Sequence, residues 1–464
     1  LSARLDTATA TAIPLLSHTT PGAIVAYRGA TAITARQFLL DVRRLAARLP
    51  AAKHMLNVCA DRYRFAVGLA ACLTSGRVSL LPSTYTREVI RQLGEWAPDA
   101  FCLTDDEHCD IELPRMQYPA AWRGVDLLGS DPEWRVPHID AGQLAAIVFT
   151  SGSTGVPLPY RKSWGPLASC VLSGAPRLGL SDGRSYTLVG TVPAQHMYGF
   201  ESTVLLALLT GNAFSAERPF YPADICSCLD AAATPRVLVS TPIHLRTLLA
   251  AQAQLPGVDL VISATAPLAR DLAQEVERGF QSRLIEIYGS TETGQIATRR
   301  TALTDAWQLW PGVELSAEGE TTFAQGGHIE QRTPLCDVIE ILGQDQFLLH
   351  GRTADLVNIA GKRSSFAYLN HQLNSIPGVI DGAFFLRDEQ SAGATGVTRL
   401  AAAVVAPDWS AADLSERLRQ CIDSVFLPRP LLLVDRLPRN ATGKLPQQAL
   451  RQLIEEQARR PGLL

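Results

Sequence analysis

Residues 147–159 read Ile-Val-Phe-Thr-Ser-Gly-Ser-Thr-Gly-Val-Pro-Leu-Pro. Three apolar residues, Ile147 to Phe149, fit a short buried strand, and they run directly into Thr150, Ser151, Gly152, Ser153, Thr154 and Gly155. Glycines at this spacing let the backbone turn tightly and come close to a ligand. Successive N–H groups in such a turn make a concave anion site, and the hydroxyls add donors. A Ser/Thr/Gly cluster is also compatible with an ordinary polar loop. Two neighbouring motif grammars do not fit. A Walker loop needs Gly, four residues, Gly and then Lys, whereas Gly155 is followed by Val156. The hydrolase elbow Gly-x-Ser-x-Gly needs glycine where Ser151 stands.

Around this stretch the chain alternates helical and extended patterns, which implies α/β layers. Apolar residues recur at helical intervals over 35–49. Residues 55–60 and 78–81 fit strands, 63–75 and 86–96 fit helices, and this β-α-β-α run predicts a parallel sheet with crossover helices. After the loop, short apolar strands at 186–192, 237–240, 260–263 and 284–287 are separated by helices at 199–210, 243–254 and 269–280. Beyond about residue 300 the texture changes to shorter strands and turns. From Thr353 a terminal unit has the size of a separate domain, with helices near 366–375 and 411–425 and strands near 382–386 and 400–405.

A chain of 464 residues exceeds what one hydrophobic core usually serves, so two or more domains are expected. Hydrophobic content of 47% with 19% charged residues describes a folded globular protein, and a net charge of −3 gives no electrostatic reason to invoke nucleic acid or an anionic membrane. No apolar run is long enough for a membrane span, and residues 1–12, with Arg4 and Asp6, lack the apolar core of a signal peptide. Nine scattered cysteines without a Cys-x-x-Cys pair read as reduced thiols of a cytoplasmic protein.

A second chemistry-bearing stretch is Ile285-Glu286-Ile287-Tyr288-Gly289-Ser290-Thr291-Glu292-Thr293-Gly294. An aromatic at a strand end can stack on a base, a hydroxyl can donate to phosphate, and a carboxylate can hold Mg2+. A third is His350-Gly351-Arg352-Thr353-Ala354-Asp355, followed by Ala360-Gly361-Lys362-Arg363. A fourth is Leu437-Pro438-Arg439-Asn440-Ala441-Thr442-Gly443-Lys444. Two weaker ones are Pro193-Ala194-Gln195-His196-Met197-Tyr198-Gly199 and Ser263-Ala264-Thr265-Ala266-Pro267-Leu268.

In this order and spacing the segments resemble the adenylate-forming superfamily: acyl- and aryl-CoA synthetases, peptide-synthetase adenylation domains and luciferases. The resemblance covers roughly residues 20 to 450. It implies that Thr150 to Gly155 hold the β- and γ-phosphates of ATP, that Tyr288, with Gly289 and Ser290, lies near adenine, that Thr291 meets the α-phosphate, and that Glu292 ligates Mg2+. By the same resemblance Ala264, Thr265 and Ala266 line adenine. Asp337, fourteen residues before Gly351, and Arg352 hold the ribose, where an ionised acceptor gives the stronger hydrogen bonds. Lys444 is then the catalytic lysine of the first half-reaction, His196 sits at the mouth of the acyl pocket, and Gly361 with Arg363 belongs to the loop that moves beside the thiol tunnel. The sequence departs from the family pattern in four places: Leu158 replaces the usual lysine, with Arg161 and Lys162 close by to supply charge; Arg332-Thr333-Pro334 is a worn form of the usual Arg-Thr-Gly-Asp; Ala354 stands two after the hinge arginine; alanine and threonine replace the glycines at 264 and 265.

The expected fold is thus α/β, with a large multi-subdomain N-terminal domain over 1–352 and a small mobile C-terminal α+β lid over 353–464. The expected reaction uses ATP and Mg2+ to activate a small aryl or acyl carboxylate as an acyl-adenylate. The acyl group then passes to the thiol of CoA or of phosphopantetheine on a separate acyl carrier protein. No Gly-x-Asp-Ser-Leu attachment site is present; Ile422-Asp423-Ser424-Val425 lacks the glycine and falls in the expected 411–425 helix. Amino-acid adenylation, with Glu201 in place of an ammonium-binding aspartate, stays open, as do a luciferase-like oxygenase and a catalytically silent nucleotide sensor. Monomer and homodimer are both compatible with the sequence.

Overall fold

The computed structural model describes residues 11–82, 84–119, 134–151, 157–251, 254–319, 321–352, 356–359, 362–386, 400–440, 445–446, 449–450 and 452–453. Among these residues, two sheets carry the large N-terminal part. The first has six strands in the order Pro157–Ser163, Leu144–Ser151, Val78–Leu81, His54–Asn57, Phe101–Thr104 and Arg115–Gln117. Its inner neighbours are parallel, so they need crossovers, which the helices Arg62–Thr74 and Arg87–Trp96 provide. The first of these starts at Asp61, whose side chain accepts from the Arg64 N–H and so satisfies one of the helix's orphan donors. All of Val78–Leu81 is buried, as befits a parallel strand covered on both faces.

The Pro157–Ser163 strand does not appear in the sequence reading. It runs antiparallel to Leu144–Ser151 at the sheet edge, with Pro157 opposite Ser151, Tyr160 opposite Val148 and Lys162 opposite Ala146. An edge position tolerates the missing N–H groups of Pro157 and Pro159.

The second sheet has eleven strands among the described residues. From Arg283–Ser290 through Leu260–Ser263, Arg236–Ser240, Thr187–Gly190 and Ala213–Ser215 to Ile24–Arg28 it is parallel. At Ser290 the chain reverses and the sheet continues antiparallel through Gly294–Arg299, Trp307–Leu309, Gln346–Arg352 and Asp337–Ile341. The reversal falls at the carboxyl edge of the parallel strands, where open α/β sheets present ligand crevices.

The sheets share one core, in which Phe38, Phe65, Trp164, Phe200 and Phe214 are fully buried. The buried Arg62 donates to the Gly190, Val192, Ser215 and Glu217 carbonyls at 2.5–3.1 Å. Burial lowers its pKa to about 10, yet it stays charged at neutral pH and ties the first helix of one sheet to the strand ends of the other.

The smaller C-terminal part begins with the hairpin Leu356–Ile359 and Lys362–Ser365. The helices Phe366–Asn374 and Ala411–Arg419 then pack on the strands Asp381–Leu386, Leu400–Val405 and Leu431–Leu433 around Leu369, Leu373, Phe384, Leu414 and Leu418. A large α/β domain followed by a small α+β domain is the fold class expected.

Two expected helices change. The 411–425 helix ends at Arg419, and Ser424–Phe426 is a separate 3-10 turn opened by the Asp423 side chain, so Ile422 to Val425 are not helical as a unit. The 199–210 helix divides into Met197–Gly199, a π-helical turn Phe200–Leu205, and Leu206–Thr210. Among the described residues, no helix is long and apolar enough to cross a membrane.

Candidate functional site

The two strongest sequence segments meet. Thr150 is the last residue but one of a strand in one sheet, and the Tyr288–Gly294 reversal ends a strand of the other. Tyr160, on the edge strand, lies between them, and its phenol feels the Glu292 carboxylate and the Thr150 side chain. Burial and then the Glu292 charge push the Tyr160 phenol up, so it remains a donor at neutral pH. Gly152 to Gly155 lie outside the described residues, and Ser151 is placed only as a backbone partner of Pro157.

The reversal itself is a closed turn. Ser290 Oγ and Thr293 Oγ1 lie 3.1 Å apart, the Ser290 N–H donates to Thr293 Oγ1 at 3.3 Å, and the Thr293 N–H donates to Ser290 Oγ at 3.2 Å. Thr291 and Glu292 form its tip, half-buried. Gly289 packs so closely that an added Cβ would sit 2.2 Å from the Gly294 carbonyl oxygen, and Gly294 holds φ at +73°, which explains glycine at both ends of the turn.

Beneath the tip lies a buried polar cluster that no sequence motif announced. Lys162 Nζ donates to the Glu292 carbonyl at 3.0 Å, and His328 Nε2 lies 3.1 Å from the Thr293 carbonyl, so it carries the proton. Cys170 Sγ donates to Glu201 Oε1 at 3.3 Å, and Gln295 donates to Ser202 at 2.8 Å. Burial raises the Glu201 carboxyl to about 7, against the pull of Lys162. Burial likewise lowers Lys162 and takes His328 down to about 4, so His328 is neutral. Arg161 is exposed and Lys162 buried. The two basic residues near Leu158 therefore point apart, and Lys162 supports the Glu292 turn from below.

Tyr288 and Asp337 also meet. The tyrosine hydroxyl donates to Asp337 Oδ2 at 2.6 Å, and its ring packs 5.5 Å from both Trp307 and Phe347. Asp337 pairs in register with Arg352, which brings these two residues together through the backbone. Ala264 is buried, and Thr265 adopts φ of +81°, a conformation costly for a β-branched residue. The substitution of a family glycine by Thr265 thus leaves the glycine-like backbone in place.

His196 caps the short turn Met197–Gly199. Tyr198 anchors that turn by donating to the Ser240 and Ile262 carbonyls at 3.1 and 3.2 Å, at the ends of two parallel strands of the same sheet. Glu201, the residue considered for an ammonium, is buried at 2% exposure and faces Cys170, Gln295 and Lys162.

In the small domain, Arg363 lies on the Lys362–Ser365 strand, opposite Asn358. Gly361 and Lys444 lie outside the described residues. The described start of the lysine segment is clamped: Arg439 meets both Asp381 oxygens at 2.6 and 2.7 Å. From the large domain, Arg246 donates to the neighbouring Ile380 carbonyl at 2.9 Å.

This is the architecture of an AMP-binding enzyme, and the chain belongs to that family: the AMP-binding enzyme model matches residues 17–316. A 4-coumarate–CoA ligase from Rhodobacter capsulatus is 31% identical over 274 residues, covering 59% of this chain and 66% of that protein. A 4-chlorobenzoate–CoA ligase from Arthrobacter is 25% identical, covering 67% and 66%. The chain thus spans about two thirds of the length of these curated relatives. Among solved structures, ATP-bound MatB from Rhodopseudomonas palustris superposes with a TM-score of 0.79 at 20% identity, over 95% of this chain and 97% of that one. An o-succinylbenzoate CoA synthetase from Bacillus subtilis, in complex with its acyl-adenylate intermediate, gives 0.76 at 17% identity, over 93% and 96%. These likenesses place the fold in the adenylate-forming superfamily.

Proposed function

We propose that the chain is an AMP-forming acid–thiol ligase that activates an aryl or acyl carboxylate, with CoA as the thiol acceptor. The observation that carries this reading is the convergence of Thr150, Glu292, Tyr288 and Asp337 where the two sheets meet. A hydroxyl-bearing strand end, a carboxylate tip and an aromatic–carboxylate pair suit phosphate, metal and nucleoside in turn. CoA ligases of aromatic acids among the relatives support the aryl class and CoA over a carrier protein.

A carboxylate is a poor electrophile, so it attacks the α-phosphorus of ATP and expels pyrophosphate; a thiol then displaces AMP from the acyl-adenylate. Catalysis in such a reaction is mostly positioning and charge stabilisation. The strand end at Thr150 and the loop to Gly155 orient the β- and γ-phosphates, and Thr291 meets the α-phosphate. Tyr288 and Asp337, with Arg352, hold the nucleoside; Ala264 to Ala266 border its base. His196 stands at the acyl entrance.

Glu292 fits Mg2+, a cation bound through one or two carboxylates plus substrate phosphates. It is half-exposed on a hydroxyl-rich turn, and among the described residues no cluster of three or more His, Cys, Asp or Glu side chains offers an alternative metal cage. The ion would neutralise phosphate charge there.

The small domain, from about Thr353, carries Lys444 into the site for the first half-reaction and Gly361 with Arg363 into it for the second. Such a domain motion completes a site and excludes water. Lys444→Ala separates the halves: adenylate formation is lost while thiol transfer from a supplied acyl-adenylate persists. Equal loss of both would overturn the assignment.

A further inference from the structure

Successive side chains of a strand alternate faces, so residues two apart point the same way. On the edge strand Pro157–Ser163 this places Tyr160 and Lys162 on one face, and both reach Glu292 from it. Lys162 Nζ donates to the Glu292 backbone carbonyl at 3.0 Å, and the Tyr160 phenol, on the same face, lies close enough to feel the Glu292 carboxylate. His328 lies 3.1 Å from the next carbonyl, that of Thr293, so two consecutive carbonyls are drawn inward beneath the tip. Lys162 is buried near the buried Glu201. Burying a lysine ammonium costs free energy. Its place directly under one carboxylate calls for another reason.

We propose that Tyr160 and Lys162 are positioning residues for Glu292, holding its carboxylate and its backbone in the one orientation that accepts a nucleotide-bound divalent cation. This rests on the assignment of Glu292 as the Mg2+ ligand in the proposed function. Tyr160 sets the carboxylate from the edge strand. Lys162 fixes the peptide that carries it.

The test is a Mg2+ titration of ATP binding by calorimetry, with Mn2+ binding in the presence of a non-hydrolysable ATP analogue read by electron paramagnetic resonance. Wild type, Tyr160→Phe, Lys162→Met, Lys162→Arg and the double variant Lys162→Met with Glu201→Gln are compared. Loss of a residue that orients a metal ligand costs roughly 10- to 100-fold in metal affinity. Tyr160→Phe and Lys162→Met are therefore expected to raise the Mg2+ and Mn2+ half-saturation points by at least about tenfold, with metal-free nucleotide binding little changed and Lys162→Arg partly restored. The double variant removes the unpaired charge, so it keeps the test alive if Lys162→Met does not fold; it should show the same metal defect. Wild-type binding strengthened by Mg2+, with folded variants titrating like wild type, would overturn the inference and leave the proposed function standing. Wild-type ATP binding indifferent to Mg2+ would overturn the metal role of Glu292 itself.

Discussion

Replacing Glu201 by glutamine should stabilise the protein at alkaline pH and leave it unchanged in acid. The carboxyl is 2% exposed, and burial raises its pKa from 4.5 to about 7 despite Lys162 nearby. A raised carboxylate pKa means the folded state holds a proton that the unfolded state releases. The contribution is therefore fully present below pH 4.5 and lost as pH rises through about 7. At about 1.4 kcal/mol per pH unit, ionised Glu201 costs the fold roughly 3 kcal/mol above that range. Glutamine keeps the size and the acceptor for Cys170 but cannot ionise.

Urea unfolding followed by tryptophan fluorescence, from about pH 4 to 8.5, reads the difference between variant and wild type. It should be near zero at the acid end and rise to roughly 3 kcal/mol, in favour of glutamine, by about pH 8. Infrared difference spectra of variant against wild type should show a protonated carboxyl band vanishing near pH 7. A difference that does not change with pH, or a variant less stable at pH 8, would refute the account of this cluster.

Three further outcomes follow from the geometry. Arg62→Met leaves four carbonyls of two strand ends without their shared donor; it should cost roughly 3 kcal/mol or more, seen as a lower urea midpoint. Thr265→Gly relieves a positive-φ threonine, worth about 1–2 kcal/mol before the entropy that glycine loses; a small rise in melting temperature is expected, and a fall would mean that the threonine side chain holds more than strain costs. Tyr288→Phe removes the 2.6 Å bond to Asp337 while keeping the packed ring; KM for ATP should rise about tenfold, the scale of one charge-assisted bond, with kcat little changed, as steady-state kinetics will show.

The segments legible in sequence were those in which chemistry and backbone geometry coincide locally. Gly289 and Gly294 are needed at the ends of a tight turn, and Tyr288, Ser290 and Glu292 lie between or beside them, so a stretch of ten residues announces itself. The strands 78–81, 260–263 and 400–405 were equally plain because each is a short, fully or mostly buried run between turns. What escaped was made by distance. Lys162 meets residue 292, Cys170 meets residue 201 and His328 meets residue 293, pairs that no local period or spacing can relate. Tyr160 was hidden because Pro157 and Pro159 made its strand look like a loop. Glu201 left an ammonium-binding role open in the sequence because its partners, Cys170 and Gln295, come from far along the chain.

The most direct test of the central claim is acid-dependent pyrophosphate release with Mg-ATP, measured over benzoic, cinnamic, short and long fatty acids and amino acids, and repeated with CoA. The account predicts release with an aryl or acyl acid, AMP as the nucleotide product, and a CoA thioester once CoA is added. ATP bound tightly, with no pyrophosphate released for any acid in the panel, would contradict it and favour a nucleotide sensor built on the same fold.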